Sequence, residues 1–267
     1  MSAPEKFDRS KITWGKNKYN LYQAYYPDDD MWIKVPSVST ILSLIPDPDW
    51  DKFVAEVGEE KANMFMKIGM DRGTAMHLFI ENFLNKLNET GDPGAALAYT
   101  QTVSTPELIK QEIPSNMIDM GRDMFFSFYY SNHSTRYKQL YGTEISIFSP
   151  IWFFRGLADV FYNEQGVGRT VTDFKGTSKL IENGSIKLFK YKKQLGAYAI
   201  AVEDTVKKIH ERDVKIERSS ILAVHTKSNL IQEILLEGLE LEVEKEAFKT
   251  LCKEWHINND QGFLFDD

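Results

Sequence analysis

The stretch from Tyr141 to Thr177 constrains the fold more than any other part of the chain. It reads as three successive strands, "YGTEISIF", "IWFFRGLADVFYN" and "RTVTDFKGT", and the turn "NEQGVG" joins the last two as a hairpin. A helix, "KYKKQLGAYAIAVEDTVKK", comes next, and two further strands follow in "SSILAVHTK" and "LIQEILLEG". A last helix is predicted from about Glu240 to His256, with Phe248, Leu251 and Trp255 on one face. Strands in a meander, then a helix, then strands again require an α/β or α+β core. The simplest expectation is one domain over residues 1–267. It divides into an N-terminal hairpin and helical part (about 1–140), a core (141–230) and a C-terminal strand and helix (231–267).

The N-terminal part is expected to begin with a β-hairpin of Tyr19 to Tyr26 with Met31 to Val35 around a Pro-Asp turn. A short helix opens after Pro36. Asp49 is the expected N-cap of the next helix, and Gly69 marks a bend into another. In that helix Ala75, Phe79, Phe83 and Leu87 recur near every fourth position, as a buried stripe does. The stretch "NETGDPGAALAYTQTVSTPELIKQEIP" clusters Gly, Pro and Thr and is expected to be a surface excursion with short helical pieces. A helix of roughly Ser115 to Asn132 follows it.

Composition narrows the function classes. The single cysteine, Cys252, excludes an internal disulfide and any four-cysteine zinc or iron–sulfur site. No run approaches the length of a membrane-spanning helix, and "MSAPEKFDRSK" lacks the apolar stretch of a secretory signal. A reducing cytoplasm is the expected compartment. It would be a bacterial or phage-infected cell; an organellar matrix remains open, although no transit peptide is seen. No Gly-x-x-x-x-Gly-Lys-[Ser/Thr] occurs, so no ATP site is expected.

Net charge is −7, yet the charge is uneven. Seven basic residues face two acids between Arg169 and Lys193. Such a strip can be an ordinary solvated face. It can also attract phosphates, because charges farther away than about 10 Å are screened.

The chemistry concentrates around "VTDFKGTSK", residues 171–179. In a strand Asp173 and Lys175 share one face, about 6–7 Å apart at the backbone, and Phe174 points the other way. Taken alone, such a triplet is far more often an ordinary charge pair than half of an active site. Asp159 lies on the strand across the hairpin, and Glu144 one strand earlier. Two or three carboxylates with a backbone carbonyl can hold a hard divalent cation. A lysine beside it can stabilise charge building on a phosphate. Gln194 and Tyr198 are four apart and share a helix face with Tyr191 and Leu195; Tyr198 can equally be a core tyrosine. His77 shares a face with Ile80 and Leu84, where a lone histidine is more often a satisfied core residue than a ligand. Arg72 can grip a phosphate or pair with Asp71.

Four stretches, "RGTAMH" (72–77), "GLADV" (156–160), "VTDFKGTSK" and "KKQLGAYAIA" (192–201), occur in this order. Together they resemble the motifs of the PD-(D/E)XK nuclease superfamily, in its RecB-like branch: His, Gly-x-x-Asp, Asp-x-Lys and Gln-x-x-x-Tyr. Within that branch "VPSVSTILSLI" followed by "RGTAMHLFIENFL" is most similar to the mitochondrial genome maintenance exonuclease family and its phage and bacterial relatives. The resemblance covers roughly residues 33–225. It implies a restriction-endonuclease-like core, a central mixed β-sheet flanked by helices, with helical N-terminal additions. It implies a metal-dependent DNA exonuclease, acting on ends of single-stranded DNA in replication, repair or recombination.

Carried over residue by residue, the resemblance makes Asp159 and Asp173 metal ligands, with His77, Glu144 and the Phe174 carbonyl beside them, and Lys175 the catalytic lysine. The cation would be Mg²⁺ or Mn²⁺, as one or two ions. Gln194 and Tyr198 would support the site. Arg72, Thr177, Ser178, Lys179, Lys190 and Tyr191 would meet DNA, the strip "KLFKYKK" tracking its backbone. A helicase, polymerase or single-strand-binding partner would be a separate chain. The alternatives are a structure-selective or site-specific endonuclease of the same superfamily, and an inactive nucleic-acid-binding protein. A metal-independent hydrolase using Asp159 and Asp173 as paired carboxylates leaves the aspartate–lysine spacing unexplained.

Overall fold

The computed structural model describes residues 9–18, 21–137, 139–228 and 230–265. Tyr19, the N-terminal stretch 1–8 and residues 266–267 lie outside them. The chain opens with strands β1 (Thr13–Lys16), β2 (Tyr22–Tyr26) and β3 (Met31–Ile33), an antiparallel sheet in that order. The expected hairpin is β2–β3, turned through Pro27–Asp29, and β1 adds a strand on its other side. Its inner face, Ala24, Tyr26, Met31 and Ile33, packs with Phe153 and the C-terminal Leu264.

Helices follow: α1 (Val38–Leu42), α2 (Pro48–Val57), α3 (Glu59–Thr90), α4 (Pro93–Lys110) and α5 (Ser115–Tyr129). Three expectations are corrected here. The N-cap of α2 is Asp47, not Asp49: its carboxylate accepts from Trp50 N–H at 3.2 Å, and Pro48 takes the first helical position. Gly69 makes no break. The chain instead turns at Gly58, at φ 86°, and α3 runs on for 32 residues. The Gly/Pro/Thr-rich stretch is the continuous helix α4. Asp92 caps it by accepting from Gly94 and Ala95 N–H, and Ala96, Thr100, Ser104 and Leu108 form a buried stripe at fourfold spacing. These small side chains let α4 lie close on α3, where Asn82 donates to the Ser104 hydroxyl. Hydroxyls on a packed helix face look like loop residues in sequence; here Thr100 returns its hydroxyl to the Ala96 carbonyl.

The second sheet has the order β4 (Gln139–Ser149), β5 (Phe154–Glu164), β6 (Gly168–Thr177), β7 (Arg218–His225) and β8 (Ile231–Glu237). β6 and β7 are parallel, joined by α6 (Ile186–His210), and every other neighbouring pair is antiparallel. A parallel pair needs such a crossover. The C-terminal helix α7 (Gly238–Ile257) follows. The sheet is therefore mixed and flanked by helices, the expected restriction-endonuclease-like arrangement.

Two apolar layers cover its faces. Ala75, Phe79 and Phe83 of α3, with Phe125 and Phe128 of α5, pack on Val160, Tyr162, Phe174, Leu222 and Val224. On the other face α1, α6 and α7 pack on Ala158, Val171, Ile221 and Ala223. Gly196 permits the α6–α7 approach, since a Cβ there would stand 2.6 Å from the Glu244 carbonyl carbon. Phe248 is fully buried in this layer, with Leu251 and Trp255 packed at its edge.

Candidate active site

The sheet forks at its centre. The β5–β6 ladder runs from Glu164↔Gly168 to Val160↔Thr172 and stops. Beyond that point β5 stays with β4 as far as Phe154, and β6 stays with β7 as far as Thr177. Asp159 and Asp173 are the first residues past the fork. Asp159 Oδ2 accepts the Phe174 N–H at 2.6 Å, replacing the strand carbonyl that the ladder no longer supplies. Farther along the freed edge of β5, Arg155 N–H donates to the Pro36 carbonyl at 2.9 Å, and Ser37 bridges Arg155 on the way into α1.

Into this fork α3 brings His77. Its Nε2 donates to the Phe174 carbonyl at 2.8 Å. Its Nδ1 then faces two carboxylates, Asp159 Oδ1 at 3.5 Å and Glu144 Oε1 at 3.8 Å. Glu144 reaches this position from β4 with φ 45°, left-handed backbone in a non-glycine residue. Such a conformation costs on the order of 1–3 kcal/mol in a non-glycine residue. Donor atoms of His77, Glu144 and Asp159 all lie within 4.8 Å of one another.

From the opposite face α6 supplies Gln194 and Tyr198. Gln194 Nε2 donates to Asp173 Oδ1 at 3.2 Å and to the Tyr198 hydroxyl at 2.8 Å. The Tyr198 ring lies over Gly156, where a Cβ would come within 3.1 Å of Cε1. That contact is a physical reason for glycine at the start of "GLADV". Lys175 Nζ is 2.7 Å from Asp173 Oδ2. The ammonium is the charged partner that faces this buried carboxylate oxygen.

Burial and charge set the protonation states. Burial pushes the Asp173 carboxyl up to about 6, against the pull of Lys175. Burial also opposes ionisation of Asp159, but the His77 charge and hydrogen bond outweigh it and hold that carboxyl below its ordinary range. Burial disfavours the His77 imidazolium, and Asp159 and then Glu144 more than reverse this, so the ring titrates well above its ordinary value. Lys175 behaves likewise: burial opposes its charge, Asp173 restores it, and it stays an ammonium.

The donor set suits a hard divalent cation. It offers carboxylate oxygens and one imidazole nitrogen. His77 commits its Nε2–H to a backbone carbonyl, the usual way of leaving the other nitrogen for a metal. The Phe174 carbonyl, expected to face a metal directly, is the acceptor for His77 here.

The other expected residues are spread more widely. Lys190 pairs with Asp47 at 3.1 Å, Lys192 with Glu240 at 2.5 Å and Lys193 with Glu244 at 2.5 Å. The "KLFKYKK" strip is therefore not one open cationic track: it winds around α6, and Lys192 and Lys193 turn to α7. Thr177 is buried and donates its hydroxyl to the Lys179 carbonyl, while Ser178 and Lys179 are exposed. Tyr191 is half-buried, its phenol pushed up to about 12 by burial. Arg72 does not pair with Asp71, which Lys67 takes at 3.0 Å. Arg155, the arginine nearest the "GLADV" motif, donates to the Tyr22 carbonyl.

Glu81 was not anticipated. One turn beyond His77, it lines a cleft of about 490 Å³ with Met70, Thr74, Glu107 and Glu144. Burial, then Glu144 and Glu107, raise its carboxyl above the ordinary range. Its spacing of four from His77 is the only sequence signal for it.

The sequence profile described as the PD-(D/E)XK nuclease superfamily matches residues 55–262. The chain belongs to the PD-(D/E)XK nuclease superfamily. Among solved structures it is similar to a "Putative exonuclease" from Eubacterium rectale, at 10% identity and a TM-score of 0.39 over 68% of each chain. It is also similar to the protein SSO0001, at 12% identity and a TM-score of 0.29, over 68% of this chain and 74% of that one. No curated protein matches it. Phosphodiester hydrolysis is the superfamily's chemistry, and among the described residues no helix is long and apolar enough to cross a membrane.

Proposed function

We propose that the protein is a divalent-metal-dependent DNA exonuclease of the RecB-like branch, acting on ends of single-stranded DNA. The observation that carries this reading is the fork between β5 and β6, which gathers Asp159, Asp173 and Lys175 with His77 and Glu144. The ligands would be Asp159, Asp173, Glu144 and His77 through Nδ1, for Mg²⁺ or Mn²⁺. When bound, such an ion supplies Lewis acidity at a phosphodiester oxygen and offsets developing negative charge.

The chain's own residues do the rest. Lys175 presents a permanent ammonium at the attacked phosphate, where it orients water and stabilises the growing charge. Asp173 fixes that ammonium, and Gln194 fixes Asp173. The Phe174 N–H holds Asp159 and the Phe174 carbonyl holds the His77 ring, each in one orientation, so little reorganisation is needed at the moment of reaction.

Single strands are favoured by exposed apolar side chains on α2, α3 and α6. Trp50, Phe53 and Phe65 form a chain of ring contacts along α2 and α3, and half of Phe65 is exposed. Met70, which lines the cleft, is 63% exposed. The Lys190–Asp47 pair ties the start of α2 to the start of α6, beside the exposed Phe189. Exposed rings on the helices that carry site residues are suited to stacking unpaired bases.

The test is hydrolysis of end-labelled linear and covalently closed circular single-stranded DNA in Mg²⁺. Loss of linear strands only, stopped by chelator, is expected. Cleavage of closed circles would overturn the end-dependent reading, and activity in excess chelator would overturn the metal.

A further inference from the structure

Two cations lie beside the candidate active site with no carboxylate paired to them among the described residues. Arg72 reaches from α3 over the end of β6, where its Nε stands 3.7 Å from the position of a Cβ on Gly176. That Nε is fully buried and has no hydrogen-bond partner. Lys187 reaches from the first turn of α6. The residue is exposed, and its ammonium stands 3.4 Å from Thr177 Oγ1 and over the Tyr191 ring. Neighbouring protein atoms first, and then the charges of Arg72 and Lys175, lower the Lys187 pKa. Burial alone lowers that of Arg72.

This contrasts with the other lysines at the start of α6, since Lys190, Lys192 and Lys193 each hold a carboxylate. Clustered like charges cost free energy, and an unsatisfied guanidinium nitrogen costs more. An arrangement that is unfavourable when empty becomes favourable when an anion is bound. Arg72 and Lys187 together offer a planar guanidinium and a point charge, a pair suited to the oxygens of a phosphate, while Thr177, its own hydrogen given to the Lys179 carbonyl, accepts from Lys187 and orients it.

We propose that Arg72 and Lys187, the latter oriented by Thr177, form a second phosphate site at the C-terminal end of β6, which holds a non-scissile phosphate of the substrate strand. The inference rests on the nuclease reading for the identity of its ligand. Lys175 lies two residues before Thr177 on the same strand, so the two sites share a wall. A phosphate clamped here fixes the register of the strand on the catalytic ammonium. The same chemistry would accept a backbone phosphodiester or a terminal phosphate monoester.

The experiment measures binding without cleavage. A fluorescent oligodeoxythymidine, with 5′-phosphate or 5′-hydroxyl, is titrated in chelator with wild-type protein, Arg72→Gln, Lys187→Met and Arg72→Lys over a range of salt. Each neutralising variant is expected to bind about tenfold more weakly. Each should also reduce the slope of log affinity against log salt by about one. Arg72→Lys should keep the slope while losing part of the affinity. Without DNA the neutralising variants should melt at or above the wild-type temperature, because a repulsion is removed.

A penalty confined to the 5′-phosphorylated strand identifies the monoester as ligand, and an equal penalty on both strands identifies the backbone. Affinities within twofold of wild type with unchanged slopes overturn the site, as does wild-type protein that binds neither oligonucleotide. If the variants lose affinity as described but wild type never hydrolyses DNA in Mg²⁺, the phosphate site stands and the nuclease reading falls.

Discussion

Replacing Gly156 with alanine tests whether packing behind the site sets its chemistry. The added Cβ would stand 3.1 Å from Tyr198 Cε1 and 3.4 Å from both Ile147 Cγ1 and Val38 Cγ2. Carbon atoms prefer about 3.5–4.0 Å, so the ring must retreat by about half an ångström. The strand cannot retreat instead, because Gly156 is paired to Ile147 of β4 and flanked by the Arg155–Pro36 hydrogen bond. Overpacking of this kind costs about 1–3 kcal/mol, or a fall in melting temperature of about 2–4 °C per kcal/mol at this chain length. The ring carries the hydroxyl that Gln194 grips, and Gln194 holds Asp173. Misplacing a catalytic group by a fraction of an ångström to 1 Å lowers the rate by up to about 10². Gly156→Ala should therefore lower kcat at least about tenfold with KM nearly unchanged. The assays are a thermal melt and initial rates on end-labelled single-stranded DNA in Mg²⁺. Adding the change to Tyr198→Phe sharpens the test. The ring and its clash remain, so the stability loss should recur in full, whereas the loss in rate should not add. A variant with wild-type melting temperature and a rate within twofold would refute the coupling of Gly156 to Asp173 through Tyr198.

Three further outcomes follow from the same structure. Gly196→Ala forces a methyl against the Glu244–Lys245 backbone of α7 and should destabilise the fold by about 1–3 kcal/mol in urea titration, with no change in KM. His256 is fully buried, with its ring held by the Phe153 carbonyl and its pKa lowered by burial. It folds in the neutral form, so its contribution is present above about pH 6.5, the ordinary histidine value, and is lost on acidification through the lower folded value. His256→Asn should flatten that part of the stability–pH curve, and an unchanged curve would exclude the residue. Glu81→Gln removes a carboxylate beside Glu144 and His77, and should raise the Mg²⁺ concentration for half-maximal activity about tenfold, read by metal titration of the rate.

What was legible in the sequence was whatever local pattern decides. The 141–177 meander, the crossover helix and the Ala75–Phe79–Phe83 stripe follow from periodicity, and the structure has them. Asp159 and Asp173 were legible as a pair on neighbouring strands, but not the fork that frees them. The loss of a ladder at Val160↔Thr172 is a tertiary event that leaves the strand pattern of either segment unchanged. Glu144 in left-handed backbone has no sequence signal at all, since nothing local favours it. α4 was obscured because its buried stripe is built from alanine, threonine, serine and a single leucine. The lysine strip misled for the opposite reason: its charges are close in sequence, but α6 rotates them onto different neighbours. Glu81 and Lys187 acquire meaning only from residues brought near by folding.

The central claim is that the fork holds a cation-dependent hydrolytic centre with Lys175 at the attacked phosphate. Its most direct test is the Mg²⁺-dependent rate of hydrolysis of linear single-stranded DNA by wild-type protein, Asp159→Asn and Lys175→Ala at matched folded concentration. Wild-type hydrolysis is expected to disappear in chelator, and each substitution should lower the rate by about 10²–10³ or more. Hydrolysis by Lys175→Ala within tenfold of wild type would contradict the account.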